Sequence, residues 1–318
     1  MDLKSLADQI IAGRRLKRAD DLQFFQTADF NELCQAANEI RKLLCGDDVE
    51  LCSIINGRSG GCSEDCKFCA QSSFNHTGMK EYGFLDENVI LEDCKKHVEK
   101  GVHRYSIVTA GRDLTGRDLQ KACNSYKRMK QECDIELCAS HGLLSKEAYI
   151  ALRESGVTMY HENIETSRRN FSNVCTTHTY EDKIEGIRLA KKLGFKVCSG
   201  GIIGMGETFE DRLDMALSLS ELKVESIPIN ALMPIKGTAY ENLTPLSEEE
   251  VLRTIAMFRF INPTSKIRLA AGRILMEDSG KNAFHSGANA TITGDLLTTS
   301  GNDIQKDKEM LTQMGFCI

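Results

Sequence analysis

Three cysteines, Cys62, Cys66 and Cys69, stand at the spacing Cys-x-x-x-Cys-x-x-Cys within Asn56-Gly-Arg-Ser-Gly-Gly-Cys62-Ser-Glu-Asp-Cys66-Lys-Phe-Cys69-Ala-Gln-Ser72. Thiolates are soft ligands that suit zinc and iron–sulfur clusters alike. Gly57, Gly60 and Gly61 let so short a loop close around a bound object. A closed structural zinc site takes four ligands, and His76 is the only local residue that could complete one. On a four-iron cluster, three thiolates leave one iron open to a substrate.

Thirteen cysteines in a chain of 318 residues are otherwise unusual. An odd number in a long chain, with no apolar signal segment in the first residues, argues against a disulfide framework and for metal or redox chemistry in a reducing, cytoplasmic setting. The formal charge is 40 minus 46, or −6. That balance speaks against general affinity for nucleic acid or anionic lipid. The longest apolar runs, such as 201–205, fall far short of the roughly 18 residues that cross a bilayer.

The elements that must position this loop follow from a recurring alternation. Strand-like runs occur near 50–55, 103–109, 134–139, 158–163, 196–203, 226–232, 266–270 and 290–293. Amphipathic helical patterns lie between them at 86–100, 115–132, 145–155, 180–193, 209–222 and 247–260. Ser145 and Ser247 open two of these with capping side chains and acidic first turns, and Gly101, Gly156 and Gly194 close others. Strand and helix alternating in this way predict a (β/α)8 TIM-type barrel over 46–318, preceded by a helical extension over 1–45. An open doubly wound sheet is the alternative. The barrel is preferred because polar and sulfur-bearing residues collect at the strand ends, where a barrel carries its site.

The cysteine loop after the first strand, with Phe68 just before its last cysteine, resembles that of the radical S-adenosylmethionine enzymes. The resemblance implies a 4Fe-4S cluster on Cys62, Cys66 and Cys69 whose open iron chelates S-adenosylmethionine. One electron then cleaves the sulfonium, and the resulting radical takes hydrogen from an inert carbon. Further stretches narrow the resemblance to the biotin synthase family: 60–73, Asn163-Ile-Glu-Thr-Ser167, 196–208, Ile227-Pro-Ile-Asn230, Pro234-Ile-Lys-Gly-Thr238, 267–273 and Leu296-Leu-Thr-Thr299. That family inserts sulfur into dethiobiotin, drawing the sulfur from a second, auxiliary iron–sulfur cluster.

Matched position by position, the resemblance implies that Cys138 and Cys198 hold the auxiliary cluster. Arg268 is either an unusual ligand or a cation balancing the cluster's charge. The family's usual third cysteine is absent, since Ser106 stands in its place. Cys175 is the candidate replacement. Three thiolates would suit a four-iron cluster carrying an extra sulfide in place of the common 2Fe-2S form. Phe68, Asn163, Glu165 and Gly204 match positions that bind S-adenosylmethionine. Asn163, Asn230, Thr298 and Thr299 match those that hydrogen-bond dethiobiotin, a neutral cyclic urea with a carboxylate tail. Glu162 receives no role, and Cys34, Cys45, Cys52, Cys94, Cys123, Cys133 and Cys317 read as packing or incidental thiols. The resemblance also implies a homodimer and a flavodoxin- or ferredoxin-type electron donor. The rivals are another radical enzyme of this barrel type (a maturase, a mutase or a thiomethyl transferase) and a non-catalytic zinc or cluster-binding scaffold.

Overall fold

The computed structural model describes residues 2–276, 278–295, 297 and 301–318. Helices α1 (Leu3–Ile11), α2 (Phe24–Thr27) and α3 (Phe30–Cys45) precede the first strand. In α3 the buried Leu33, Ala36, Ala37 and Ile40 repeat at helical spacing, so one stripe faces inward. Asp29 caps its start by accepting the Glu32 N–H at 3.0 Å. The stripe packs on the barrel, and its residues join the same continuous core as the strands.

The strands are β1 (Glu50–Arg58), β2 (Arg104–Thr109), β3 (Glu136–Ser140), β4 (Met159–His161), β5 (Lys196–Cys198), β6 (Gly201–Ile203), β7 (Ser226–Ala231), β8 (Lys266–Leu269) and β9 (Ala290–Ile292). All pair in parallel in the order β5-β4-β3-β2-β1-β9-β8-β7-β6, and β5 also pairs with β7. That last pairing, Cys198 opposite Ser226, closes the sheet on itself. The fold is therefore a closed eight-stranded parallel barrel with flanking helices, β5 and β6 being two halves of its fifth strand.

The fifth strand differs from the continuous run expected over 196–203. At Gly200 an added Cβ would lie 1.9 Å from the Pro228 carbonyl oxygen, so the backbone of β7 comes too close for any side chain. The Gly200 N–H leaves the ladder and donates to Asn163 Oδ1 at 3.0 Å. The strand thus breaks at the point where β4 delivers a side chain to the site.

The crossover helices run at Glu87–Glu99, Gly116–Glu132, Lys146–Glu154, Tyr180–Lys192, Phe209–Leu222 and Glu248–Ile261, close to the expected spans. Ser145 accepts the Ala148 N–H as a cap, and Ser247 forms a reciprocal capping box with Glu250. Helical segments at Phe171–Val174, Lys281–His285 and Ile304–Gln313 were not expected. The last is held by a buried bidentate pair, Arg273 to Asp307, at 2.7 and 2.9 Å. Among the described residues no helix is long and apolar enough to cross a membrane.

Candidate functional site

A cavity of about 400 Å³ opens at the C-terminal ends of the strands and runs down into the barrel. Cys62, Cys66, Phe68 and Cys69 line its upper wall. The loop that carries them is fixed by its own backbone. Cys62 N–H donates to Gln71 O at 3.1 Å, Ser73 N–H to Cys62 O at 2.9 Å, and Cys69 N–H to Cys66 O at 3.1 Å. Asn75 Nδ2 donates to the carbonyls of Cys66 and Cys69 at 3.2 and 2.8 Å. Gly60 takes a φ of 75°, and a Cβ there would meet Glu81 Cγ at 2.4 Å, so the turn demands glycine. Burial pushes the Cys69 thiol up to about 11. Such a thiol gives up its proton to a metal centre, not to water.

The same loop is stitched to residues 174–178. Lys67 N–H donates to Val174 O at 3.0 Å. Asp65 Oδ1 accepts the N–H groups of Thr176 and Thr177 at 2.8 and 3.2 Å. Glu64 Oε2 lies 2.5 Å from His178 Nδ1 and 2.8 Å from Thr177 Oγ1. Cys175 belongs to this assembly: ligand atoms of Cys66, Cys175 and His178 all lie within 4.8 Å of one another. The structure thus places Cys175 with Cys66 and His178, whereas Cys138 and Cys198, its expected partners, pack together elsewhere. The segment bearing it is bound to the upper loop, and Cys175 is not among the residues lining the cavity.

Lower in the barrel the inward-facing residues form a different constellation. Cys52, Arg104, Ser106, Cys138, Met159, Cys198 and Arg268 all line the cavity. The strand register places Cys52 opposite Arg104, Ser106 opposite Cys138, and His161 opposite Cys198. Cys138, Met159 and Cys198 pack together. Burial, followed by the neighbouring thiols of Cys198 and Cys52, pushes the Cys138 thiol up. Burial likewise lifts Cys52 to about 11, against the pull of Arg268 and Arg104. Cys52 is thus the third thiol beside Cys138 and Cys198. Its alternation with Ile54 along the first strand carried that signal, because both point inward.

Arg268 is buried and its three nitrogens are all engaged. Nε donates to Ser226 Oγ at 3.3 Å, Nη1 to Thr291 O at 3.1 Å, and Nη2 to Glu50. Glu50 also accepts from Arg104 at 3.3 Å and from Lys266 Nζ at 2.5 Å. Burial alone would raise the Glu50 carboxyl, but Arg268 and then Arg104 hold it well below the usual carboxylate range. Among the described residues Arg104 Nη1 and Ser106 Oγ are buried with no hydrogen-bond partner, and Arg104 Nη1 has only the exposed Glu136 carboxylate nearby at 3.7 Å. Unspent donors and surplus positive charge beside three thiols fit an anionic metal–sulfur body.

Between the two levels lie Asn163 and Glu165. Asn163 Oδ1 accepts the Gly200 N–H at 3.0 Å and its Nδ2 donates to Glu165 Oε2 at 3.3 Å. Glu165 has a φ of 64°, an uncommon conformation for a residue with a side chain. Burial pushes its carboxyl up to about 6. Asn230 lines the cavity while its amide spans Gly201 O at 3.0 Å and Ala271 N–H at 3.2 Å. Phe68 packs against Val174, Met205 and Leu232. Gly204, in contrast, is not among the lining residues; it forms a turn whose N–H donates to Glu207 Oε1 at 2.8 Å. Thr298 and Thr299 lie outside the described residues. Lys183, paired with Glu162 at 2.5 Å, lines the cavity without having been singled out from the sequence.

Residues 58–219 match the Radical SAM superfamily, and residues 228–317 match the Biotin and Thiamin Synthesis associated domain. A biotin synthase of Alkaliphilus metalliredigens is 77% identical over 316 residues, covering 99% of each chain. One from Clostridium beijerinckii is 64% identical over 316 residues, covering 99% of this chain and all 100% of its own. A crystal structure of methylornithine synthase superposes with a TM-score of 0.85 at 21% identity, covering 98% of this chain and 96% of that one. An FeFe-hydrogenase maturase from Carboxydothermus hydrogenoformans does so at 0.78 and 16%, covering 98% and 79%. At such identities these two share the fold alone.

Proposed function

The chain belongs to the biotin synthase family of radical S-adenosylmethionine enzymes, which insert sulfur into dethiobiotin to form biotin, and we propose that its barrel holds two iron–sulfur clusters at different depths for that reaction. The family implies a 4Fe-4S cluster and S-adenosylmethionine. We assign the cluster to Cys62, Cys66 and Cys69, whose loop is pre-formed and turned to the cavity. When bound, it supplies the electron that cleaves S-adenosylmethionine.

For the auxiliary cluster we assign Cys52, Cys138 and Cys198. The observation that carries this is the gathering of three buried thiols around two guanidinium groups at one level of the cavity. Three thiolates favour a four-iron cluster with an added sulfide over the 2Fe-2S form. Arg268 serves as a balancing cation, since its donors are already committed to Glu50, Thr291 and Ser226. Arg104 adds a second positive charge and, with Ser106, offers free donors to the cluster's sulfur.

The remaining residues orient the two organic molecules. The Glu165 carboxylate accepts ribose hydroxyls of S-adenosylmethionine, held in place by Asn163, while Phe68 covers the adenine side. Gly204 contributes through the turn it permits. Asn163, Asn230, Thr298 and Thr299 address the ureido ring and carboxylate tail of dethiobiotin. The cavity is deep and apolar around Ile54, Val108 and Ile292, which keeps water from the reacting carbons. A boundary between residues 45 and 46, a flavodoxin- or ferredoxin-type donor, a homodimer and a cytoplasmic setting complete the reading, on the family resemblance.

Anaerobic reconstitution of Cys52→Ala and Cys175→Ala tests the ligand assignment. Cys52→Ala is expected to lose the auxiliary iron and acid-labile sulfide and to release 5′-deoxyadenosine without biotin. Cys175→Ala keeps full iron and sulfide. The opposite pattern would refute the assignment.

A further inference from the structure

The upper loop carries a second set of metal-binding side chains that the reaction does not use. We propose that Cys66, Cys175 and His178 bind a single divalent ion of the zinc or iron(II) class in the cluster-free enzyme, in exclusion of the radical cluster. The exclusion rests on the preceding assignment of Cys66 to that cluster; the ion site itself does not.

One ligand atom from each of the three residues falls within 4.8 Å of the others, a span that one ion can bridge. Among the described residues no other group of three such side chains is gathered so closely. Cys175 and His178 sit at Cys-x-x-His spacing on one short segment, and Cys66 faces them from the loop it is stitched to. The hydrogen bonds of Asp65 to the intervening Thr176 and Thr177 hold the two segments in place before any ion arrives.

His178 supplies an independent indication. Its side chain is buried, with 7% of the residue exposed. Glu64 Oε2 sits 2.5 Å and Cys175 Sγ 3.3 Å from its Nδ1, so the carboxylate and the thiol converge on one nitrogen. The other ring nitrogen, Nε2, is buried and has no hydrogen-bond partner among the described residues. A buried imidazole with one unpartnered nitrogen, beside two cysteines, supplies the third ligand that a metal ion would need.

Binding is a proton exchange with no redox step. The Cys66, Cys175 and His178 set loses two protons in all, two metal–sulfur bonds form, a neutral imidazole nitrogen is added, and the ion's charge is cancelled. Cys66 and His178 both line the cavity, so the fourth position of a tetrahedral ion opens toward it and can hold water. Such a site exchanges its ion more readily than a closed one. Building the radical cluster withdraws Cys66 and leaves one thiolate and an imidazole, too few to retain the ion.

Cobalt(II) is the probe, added anaerobically to the full-length, cluster-free chain. Because Cys62 and Cys69 could also bind it, the decisive protein is the double variant Cys62→Ser, Cys69→Ser. It is expected to take up one cobalt per chain with thiolate charge-transfer absorption, tetrahedral visible bands, release of two protons, and displacement by zinc. In that background Cys175→Ser or His178→Ala weakens binding by at least roughly tenfold. Cys175→Val, which keeps the site apolar, distinguishes ligand loss from unfolding, and circular dichroism checks each variant. Cobalt binding that disappears in the double variant, or that ignores both Cys175→Ser and His178→Ala, overturns the site. Reconstituted four-iron enzyme is expected to show no two-thiolate cobalt spectrum. Retention of that spectrum overturns the exclusion, and a Cys66→Ser protein that still builds the radical cluster locates the failure in the earlier assignment.

Discussion

The charge arrangement under the lower thiols makes a prediction that is open to measurement without any cluster. Glu50 is buried at 8% exposure and pairs with both the buried Arg268 and Arg104, at 2% and 5%, while the exposed Glu136 reaches Arg104 Nη1 at 3.7 Å. Glu50→Gln preserves shape but removes the negative charge and turns one acceptor oxygen into an NH2 donor facing the arginine and lysine donors, leaving Arg268 without an ionic partner and Arg104 with only the exposed Glu136. Removing one partner of a buried pair costs about 3–5 kcal/mol. Lys266 is 43% exposed on its side chain and adds little, because water screens it. The sign with pH follows from the depressed carboxyl. Its contribution is fully present above the ordinary glutamate value near 4.3 and is lost only as pH falls through the lower folded value, so the deficit stays constant between pH 6 and 8. Anaerobic urea unfolding of the cluster-free protein, followed by circular dichroism, should show the midpoint lowered by about 1 M or more at a slope of roughly 3 kcal/mol per molar. In the reconstituted enzyme the anionic auxiliary cluster supplies part of the missing negative charge, so the difference between variant and parent shrinks. A loss below about 1 kcal/mol in the cluster-free protein, or an equal loss in both forms, would refute the reasoning.

Two further outcomes follow from the same geometry. Because burial places the Glu165 carboxyl at about 6, S-adenosylmethionine binding to the reconstituted enzyme should weaken as pH falls through that value, by roughly tenfold for each pH unit below it; Glu165→Gln should bind weakly with no such dependence, and a flat parent profile in equilibrium dialysis from pH 5 to 8 would count against the ribose contact. Gly200→Ala forces a Cβ to 1.9 Å from the Pro228 carbonyl, a backbone clash that nothing nearby can yield to. It should cost more than about 4 kcal/mol and deplete soluble protein, whereas ordinary yield with an unchanged melting curve would show that β5 and β7 can part.

Much of the barrel was legible because it rests on local chemistry. Periodic apolar positions, capping serines and terminal glycines lie within a few residues of the elements they define, and the crossover helices fall close to the expected spans. The segment at Ile304–Gln313 escaped for the opposite reason. Its buried positions are Ile304, Asp307 and Leu311, so the middle of the inward stripe is a charged residue. Asp307 is tolerated there only because Arg273, distant in sequence, meets it. The break in the fifth strand is likewise a long-range effect: the approach of Pro228 and Asn163 to Gly200 cannot be read from residues 196–203.

The site shows the same division, and the positions of Cys52 and Cys175 show where it falls. Cys62, Cys66 and Cys69 could be grouped on spacing alone, since seven residues of loop keep their thiols near one another whatever the fold. Grouping Cys138 with its partners required knowing which strand neighbours point into the same cavity. Alternation along the first strand makes Cys52 read as a core residue. In an open sheet the inner face of a strand is core, but in a barrel that face borders the site, so the same alternation argues for a ligand. Cys175 is the replacement that the family resemblance suggests, beyond the fourth strand. Yet the loop that bears it is pulled against Cys66 by Asp65 and Glu64, residues interleaved with the radical-cluster cysteines themselves. Those two carboxylates look like ordinary polar filler between ligands. Their partners lie more than a hundred positions away, and through them Cys175 becomes a neighbour of the upper cysteines instead of the lower ones.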